Sequence, residues 1–349
     1  MAATTREAGT PTEEFDYRLP AAAIAQQPLD ERDASRMLVL ASAGRTRDAM
    51  VRDLPSLLLP GDCLVLNDTR VRAARLRGRV GGRSGEILLL RELGPRRYLA
   101  LARPGRALVP GVALDGDGWR VVVEAGWPGH VSGREVRLET DSEVDLTAIG
   151  EVPLPPYLKQ KIKDPERYQT VYARGPAVSA AAPTAGLHLT EPLLRTVEKL
   201  GVEVSRIQLE VGLATFTPIR SATIEAHSMQ SERYRVSDQA AAQIGRARSA
   251  GGRVVAVGTT AVRCLESSPD GQGGVVAGAG ETELYVRPGY RFQVVDGLLT
   301  NFHQPRSSLM VLVSAFYGQE AIRGAYRDAL GRGYRFLSFG DCMFGWRRT

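Results

Sequence analysis

Two histidines stand in polar words that would suit acid–base chemistry. His188 lies in AAPTAGLHLT (181–190), where Thr184 adds a hydroxyl and small residues allow a ligand close to the backbone. His303 follows Asp296 and Asn301 in DGLLTNFHQPRSS (296–308), a polar segment between apolar runs. An imidazole gives or takes a proton near neutral pH. Asp341, in FLSFGDCM (336–343), follows a strand-like run and Gly340. Ligands of parallel sheets gather at such strand ends. Each word also has a purely structural reading: a tight connection at 181–190, and a satisfied core histidine at 303.

VVAVGTTAVRCLES (254–267) reads as strand, turn and helix. Gly258 lets the backbone turn tightly, and Thr259 and Thr260 bring hydroxyls beside the unpaired amides of a helix N-terminus. That setting favours a carboxylate or phosphate. The competing reading makes Thr260 a helix cap and nothing more. No phosphate-loop lysine and no G-x-G-x-x-G after a strand is present, which argues against nucleoside-triphosphate and Rossmann-type sites. A nucleophile elbow, an H-E-x-x-H word and a cysteine cluster are also missing, so neither a serine hydrolase nor a metal site is indicated.

The elements that must position these residues fall into two textures. Residues 15–75 begin an α/β core domain, with CLVLNDTRV (63–71) a buried strand running into a polar turn. Over 76–151 short strand-like runs (LRGRV, GEILLLREL, RYLALARPG, WRVVVEAG, REVRLET) alternate with turns such as GGRSG and DGDG. That spacing predicts an inserted all-β domain, barrel-like in form. The α/β pattern returns over 152–349. TEPLLRTVEKLG predicts a helix capped by Thr190 and closed by Gly201, followed by the strand VEVSRIQLEV. A second capped helix, SDQAAAQIGRARSAGG, precedes the strand RVVAVG. Alternation of this kind predicts a mostly parallel sheet. Residues 1–14 are expected to form a disordered leader.

Apolar residues make up 43% of the 349 and charged residues 24%, as in a soluble globular protein. No apolar run approaches the roughly 18 residues of a membrane helix, and the N-terminus has no secretory pattern. Cys63, Cys264 and Cys342 are too scattered for a disulfide framework, and a cytoplasmic protein with reduced thiols is expected. The net charge of +6 fits a phosphate-rich partner. Nearly all of it is arginine, a bias that genome composition also explains.

Taken in order, these words resemble one family. They are FDYRLPAAAIAQQPLDERDASRMLVL (15–40), LNDTRVRAARLRG (66–78), PLPPYL (153–158), DPERYQTVYA (164–173) and AAPTAGLHLT (181–190). VGTTAVRCLES (257–267), PGYRFQVVDGLLTNFHQPRSSL (288–309) and YRFLSFGDCM (334–343) complete the set, which spans about 15–344. The resemblance is to the S-adenosylmethionine:tRNA ribosyltransferase-isomerases of queuosine biosynthesis. It implies an α/β core with an inserted β-barrel. It also implies transfer of the ribosyl moiety of S-adenosylmethionine to the aminomethyl group of a 7-deazaguanine base in the tRNA anticodon. The sugar rearranges to an epoxycyclopentanediol, and adenine and methionine leave. S-adenosylmethionine is then a co-substrate, with no metal or redox cofactor expected, and a monomer is expected.

The chemistry needs a base beside the sulfonium and an acid for the departing adenine. His188, His303, Asp296 and Asp341 are the candidates. Thr184, Gly258, Thr259, Thr260, Arg263 and Asn301 are the candidates for holding the co-substrate. On the tRNA side, Lys159, Lys161 and Lys163 in YLKQKIKDPERY (157–168) either meet backbone phosphate or form a solvated hinge.

Two words depart from the family's pattern. EVGLATF (210–216) has Glu210 for a histidine and Ala214 for a glycine, and MQSE (229–232) has Gln230 for a histidine while keeping Glu232. Compensated drift is one reading. A paralogue with a changed acceptor, such as a small nucleobase or specialised metabolite, is another, and an inactive tRNA-binding relative is a third.

Overall fold

The computed structural model describes residues 9–41, 45–128, 131–140, 146–174, 177–212 and 217–348. The chain first lays down β1 (Arg36–Leu40), β2 (Thr46–Met50), β3 (Cys63–Asn67) and the short β4 (Arg70–Val71). It then forms β5 (Arg75–Val80), β6 (Arg83–Gly94), β7 (Arg97–Arg103), β8 (Ala113–Asp115), β9 (Trp119–Gly126) and β10 (Gly133–Thr140). A short helix, α1 (Leu146–Ile149), precedes β11 (Ala177–Ser179), which pairs with β4. Next come α2 (Glu191–Lys199), β12 (Glu203–Leu209), β13 (Glu232–Val236), α3 (Asp238–Ser249) and β14 (Val254–Val257). The chain continues through α4 (Thr259–Glu266), β15 (Gly278–Thr282) and β16 (Gly297–Asn301). It ends with α5 (Ser308–Tyr317), α6 (Gln319–Gly331) and β17 (Cys342–Trp346).

Strands β5 to β10 close into an antiparallel barrel in the order β10-β7-β6-β5-β8-β9. Its apolar alternation buries Leu76, Ile87, Leu89, Val121, Val123 and Val136 in one cluster. Gly81 and Gly82, at φ of +55° and +79°, join β5 to β6 in a two-residue turn that other residues adopt with strain. At the neck, Arg75 and Glu151 exchange backbone hydrogen bonds of 3.0 and 2.9 Å. The chain thus enters and leaves the barrel side by side, as an insert must.

The core is a nine-stranded sheet in the order β15-β13-β12-β3-β14-β16-β17-β1-β2. Parallel pairing joins β12 to β3, β3 to β14, β14 to β16 and β17 to β1, while the other junctions are antiparallel. The sheet is therefore mixed, which corrects the expectation of a mostly parallel one. Between β16 and β17 lie two helices rather than one, so the chain returns to the edge it left and β17 runs back along β16. Central strands β3, β14 and β16 are buried throughout because helices cover both faces. Helices α3 to α6 pack on one face, and α2 with the 3-10 segment Val51–Leu57 on the other.

Residues 9–14 correct the expectation of a disordered leader over 1–14. Pro11 bridges to Thr223, and the fully buried Thr12 donates its hydroxyl to the Ser221 carbonyl at 2.8 Å. Residues 1–8 lie outside the described residues. No helix among the described residues is long and apolar enough to cross a membrane.

Candidate active site

The C-terminal ends of parallel strands β14 and β16 share one edge of the sheet, where ligands of such sheets bind. At that edge Gly258 turns the chain from β14 into α4 with φ +89°, a conformation that side-chain-bearing residues rarely adopt. The helix has no side-chain cap, and the buried Thr260 hydroxyl has no partner among the described residues. Capping is thus not the role of Thr260, whose buried hydroxyl is unpartnered beside the cleft.

Above this edge sits the 3-10 turn Thr184–His188. A Cβ at Gly186 would collide with the Tyr172 hydroxyl, so only glycine lets the turn lie this close. Asn301, at the end of β16, ties the turn down. Its carbonyl oxygen accepts from the Thr184 hydroxyl at 2.9 Å. Its amide nitrogen donates to His188 Nε2 at 3.0 Å and to the Leu337 carbonyl at 3.3 Å. Three segments remote in sequence therefore meet on one buried side chain.

Thr184, Gly258, Thr259, Thr260, Asn301 and His303 all line one cleft of about 570 Å³, open mouth included. Tyr157 and Phe302 add aromatic rings to its wall. His303 Nε2 lies 2.9 Å from the Thr300 hydroxyl, and its backbone N–H donates to Tyr326. Burial pushes the His303 imidazole down to about 3. His188 is pushed down to about 3 as well, by burial first and then by the nearby Arg335 and Arg32 guanidiniums. Both rings are neutral at pH 7, and the Asn301 amide leaves the His188 proton on Nδ1.

Behind His188 a smaller recess of about 260 Å³ is lined by Arg32, Ser35 and Arg167, and it shares Ser338 with the main cleft. Arg32 donates to the carbonyls of Leu187 (3.0 Å) and Glu166 (3.1 Å). The sequence reading did not single out Arg32 or Arg167. The available signal was their place in two of the family-like words.

The remaining candidates are placed elsewhere. Asp296 precedes β16, so five residues of extended chain, roughly 17 Å, separate it from Asn301. Its carboxylate accepts from Val254 N–H at 2.9 Å and pairs with Arg248 at 2.6 Å, a structural clamp. Arg263 is buried under α4, paired with Glu232 and donating to the Leu284 carbonyl at 3.1 Å. It braces α4 against β13 rather than lining the cleft. Asp341 lies at the correct edge, but its oxygens accept from Arg36 N–H (3.0 Å) and Arg335 N–H (2.8 Å). Lys159, Lys161 and Lys163 are exposed on the loop that follows the cleft residue Tyr157.

A second, larger chamber of about 960 Å³ opens between the barrel and the core. Arg91 and Trp127 come from the barrel, and Glu210, Gln230 and Glu232 from the core. Val211 borders both this chamber and the main cleft. Ala214 lies outside the described residues.

A family model described as "queuosine biosynthesis protein" matches residues 12–344. A relative from Moorella thermoacetica is 49% identical over 95% of this chain and 98% of its own length. One from Pelotomaculum thermopropionicum is 47% identical over 95% of this chain and 98% of its own. Both are described as S-adenosylmethionine:tRNA ribosyltransferase-isomerase. The crystal structure of the S-adenosylmethionine tRNA ribosyltransferase from Thermotoga maritima is 34% identical, with a TM-score of 0.54 over 95% of this chain and 99% of that one. The chain belongs to the queuosine biosynthesis family of S-adenosylmethionine:tRNA ribosyltransferase-isomerases.

Proposed function

We propose that this protein transfers the ribosyl moiety of S-adenosylmethionine to tRNA and isomerises it. The acceptor is the aminomethyl group of 7-aminomethyl-7-deazaguanine in the anticodon, and the products are epoxyqueuosine-tRNA, adenine and methionine. Full-length likeness to relatives of that description supports the activity and does not favour a paralogue with another acceptor. The observation that carries the site is the Asn301 hub, which gathers three of the family-like words around one cleft.

In this reading the cleft holds the donor. The amides at the start of α4 and the free Thr260 hydroxyl receive its polar groups. Asn301 and Thr184 fix the wall, so the polar groups that line the cleft are held in place before the donor binds. Neutral rings at His188 and His303 act as hydrogen-bond partners. Neither carries an imidazolium proton to hand to departing adenine at pH 7. The exposed lysines beside Tyr157 supply positive potential for the tRNA backbone.

The test is to incubate the protein with S-adenosylmethionine and tRNA carrying the aminomethyl base, then digest the tRNA and weigh its nucleosides. The deazaguanosine should gain the mass of the epoxycyclopentanediol. A digest with no mass gain would overturn the proposal.

A further inference from the structure

We infer that the chamber between barrel and core receives the acceptor base, with the Glu210 carboxylate against its aminomethyl group. This deepens the function proposed above and rests on it. The first observation is adjacency: Val211 forms a wall of both the donor cleft and the chamber, and Glu210 is its neighbour in the chain. A group held at Glu210 therefore lies beside the donor without entering its cleft. The second is that the carboxylate of Glu210 and the amide of Gln230 line this same chamber although 20 positions separate them in sequence. An acid and an amide converging on one cavity offer acceptors and donors to the polar edge of a base.

The third observation concerns charge. Glu232 also lines the chamber, but its oxygens are taken by Arg263 and by the Gly212 N–H at 2.7 Å. The Glu210 carboxylate has no hydrogen-bond or ion-pair partner among the described residues and remains open to a cationic ligand. Trp127 and Arg91 bring barrel side chains to the chamber wall.

An aminomethyl group is an ammonium at neutral pH and must lose a proton before it attacks. Glu210 takes that proton: an ammonium N–H bond breaks, a carboxyl O–H bond forms, and the electron pair stays on the nitrogen that becomes the nucleophile. Burial raises the Glu210 carboxyl and Glu281 adds to this, against the lowering by Arg233, Arg72 and Arg91, so the group is better suited to accept a proton than an exposed glutamate.

Glu210→Gln, Glu210→His and the unaltered protein should be compared by acceptor kinetics on tRNA carrying the aminomethyl base, and by calorimetric titration with S-adenosylmethionine alone. Losing the charged contact should lower kcat/KM for the tRNA roughly ten- to hundredfold in the Gln variant. Donor affinity and melting temperature should stay at the unaltered values, and the His variant should recover turnover. Unchanged acceptor kinetics in Glu210→Gln would overturn the inference, as would a matching loss of donor affinity. Failure of the unaltered protein to turn over would instead sink the ribosyl-transfer reading itself. In that case binding of anticodon stem-loops decides the chamber: preference for the aminomethyl base over guanine, lost in Glu210→Gln, sustains it, and equal binding overturns it.

Discussion

At the scale of single residues, the site depends on Asn301 more than on either histidine. Its side chain satisfies the buried His188 Nε2 and the half-buried Thr184 hydroxyl. Truncation in Asn301→Ala leaves the buried His188 nitrogen unpaired, which should cost about 1–3 kcal/mol, while water can replace the partner of the half-buried Thr184 hydroxyl. We expect a lower melting temperature and loss of adenine release. Retained activity with normal stability would show that the hub is dispensable. The histidines carry a pH signature of their own. Their folded values of about 3 lie below the ordinary 6.5, so the unfolded chain binds more protons between those limits. Stability from this source is fully present above about 6.5 and is lost as pH falls towards 3. Double replacement by Gln should flatten the acid limb of a melting-temperature profile. An unchanged slope would place the acid sensitivity elsewhere.

Elements decide which of the chemically promising residues meet. Arg263 and Glu232 join α4 to β13 through a buried ion pair, and Glu232 also holds the Gly212 backbone that borders the acceptor chamber. Removing one partner strands a buried charge, so Arg263→Met should destabilise by about 3–5 kcal/mol. Adding Glu232→Met should recover part of that loss, because two apolar side chains need no partner. Chemical denaturation of the two variants checks this, and additive losses would contradict it.

The same scale explains what was legible in sequence. The barrel was readable because its alternating apolar runs and glycine turns are local signals. So were the helix caps at Thr190 and Ser237. The direction of β17 was not, because it depends on a two-helix return between β16 and β17 that strand periodicity does not encode. Asp296 and Asn301 share one word, yet the extended strand between them sends one to each edge of the sheet. Arg32 and Arg167 escaped notice because an arginine is the commonest cation in this chain and only tertiary contact distinguishes these two. The meeting of Glu210 and Gln230 in one chamber is likewise a tertiary fact.

At the scale of the whole molecule, two spaces share Val211 as a wall: the cleft at the sheet edge, proposed to hold the donor, and the chamber facing the barrel, proposed to receive the acceptor. The lysine-bearing loop 157–163 starts at the rim of the first. If Lys159, Lys161 and Lys163 each meet a phosphate, replacing all three with Ala should reduce the slope of log affinity for tRNA against log salt by about 2–3. An unchanged slope would make the segment a solvated hinge.

The most direct measurement is chromatography of adenine and methionine released from S-adenosylmethionine in parallel reactions. One contains tRNA with the aminomethyl-deazaguanine, one unmodified tRNA, and one the free base. Release in the first reaction alone, with both products in equal amounts, is the predicted result. Release with the free base and none with the modified tRNA would contradict it and identify a different acceptor.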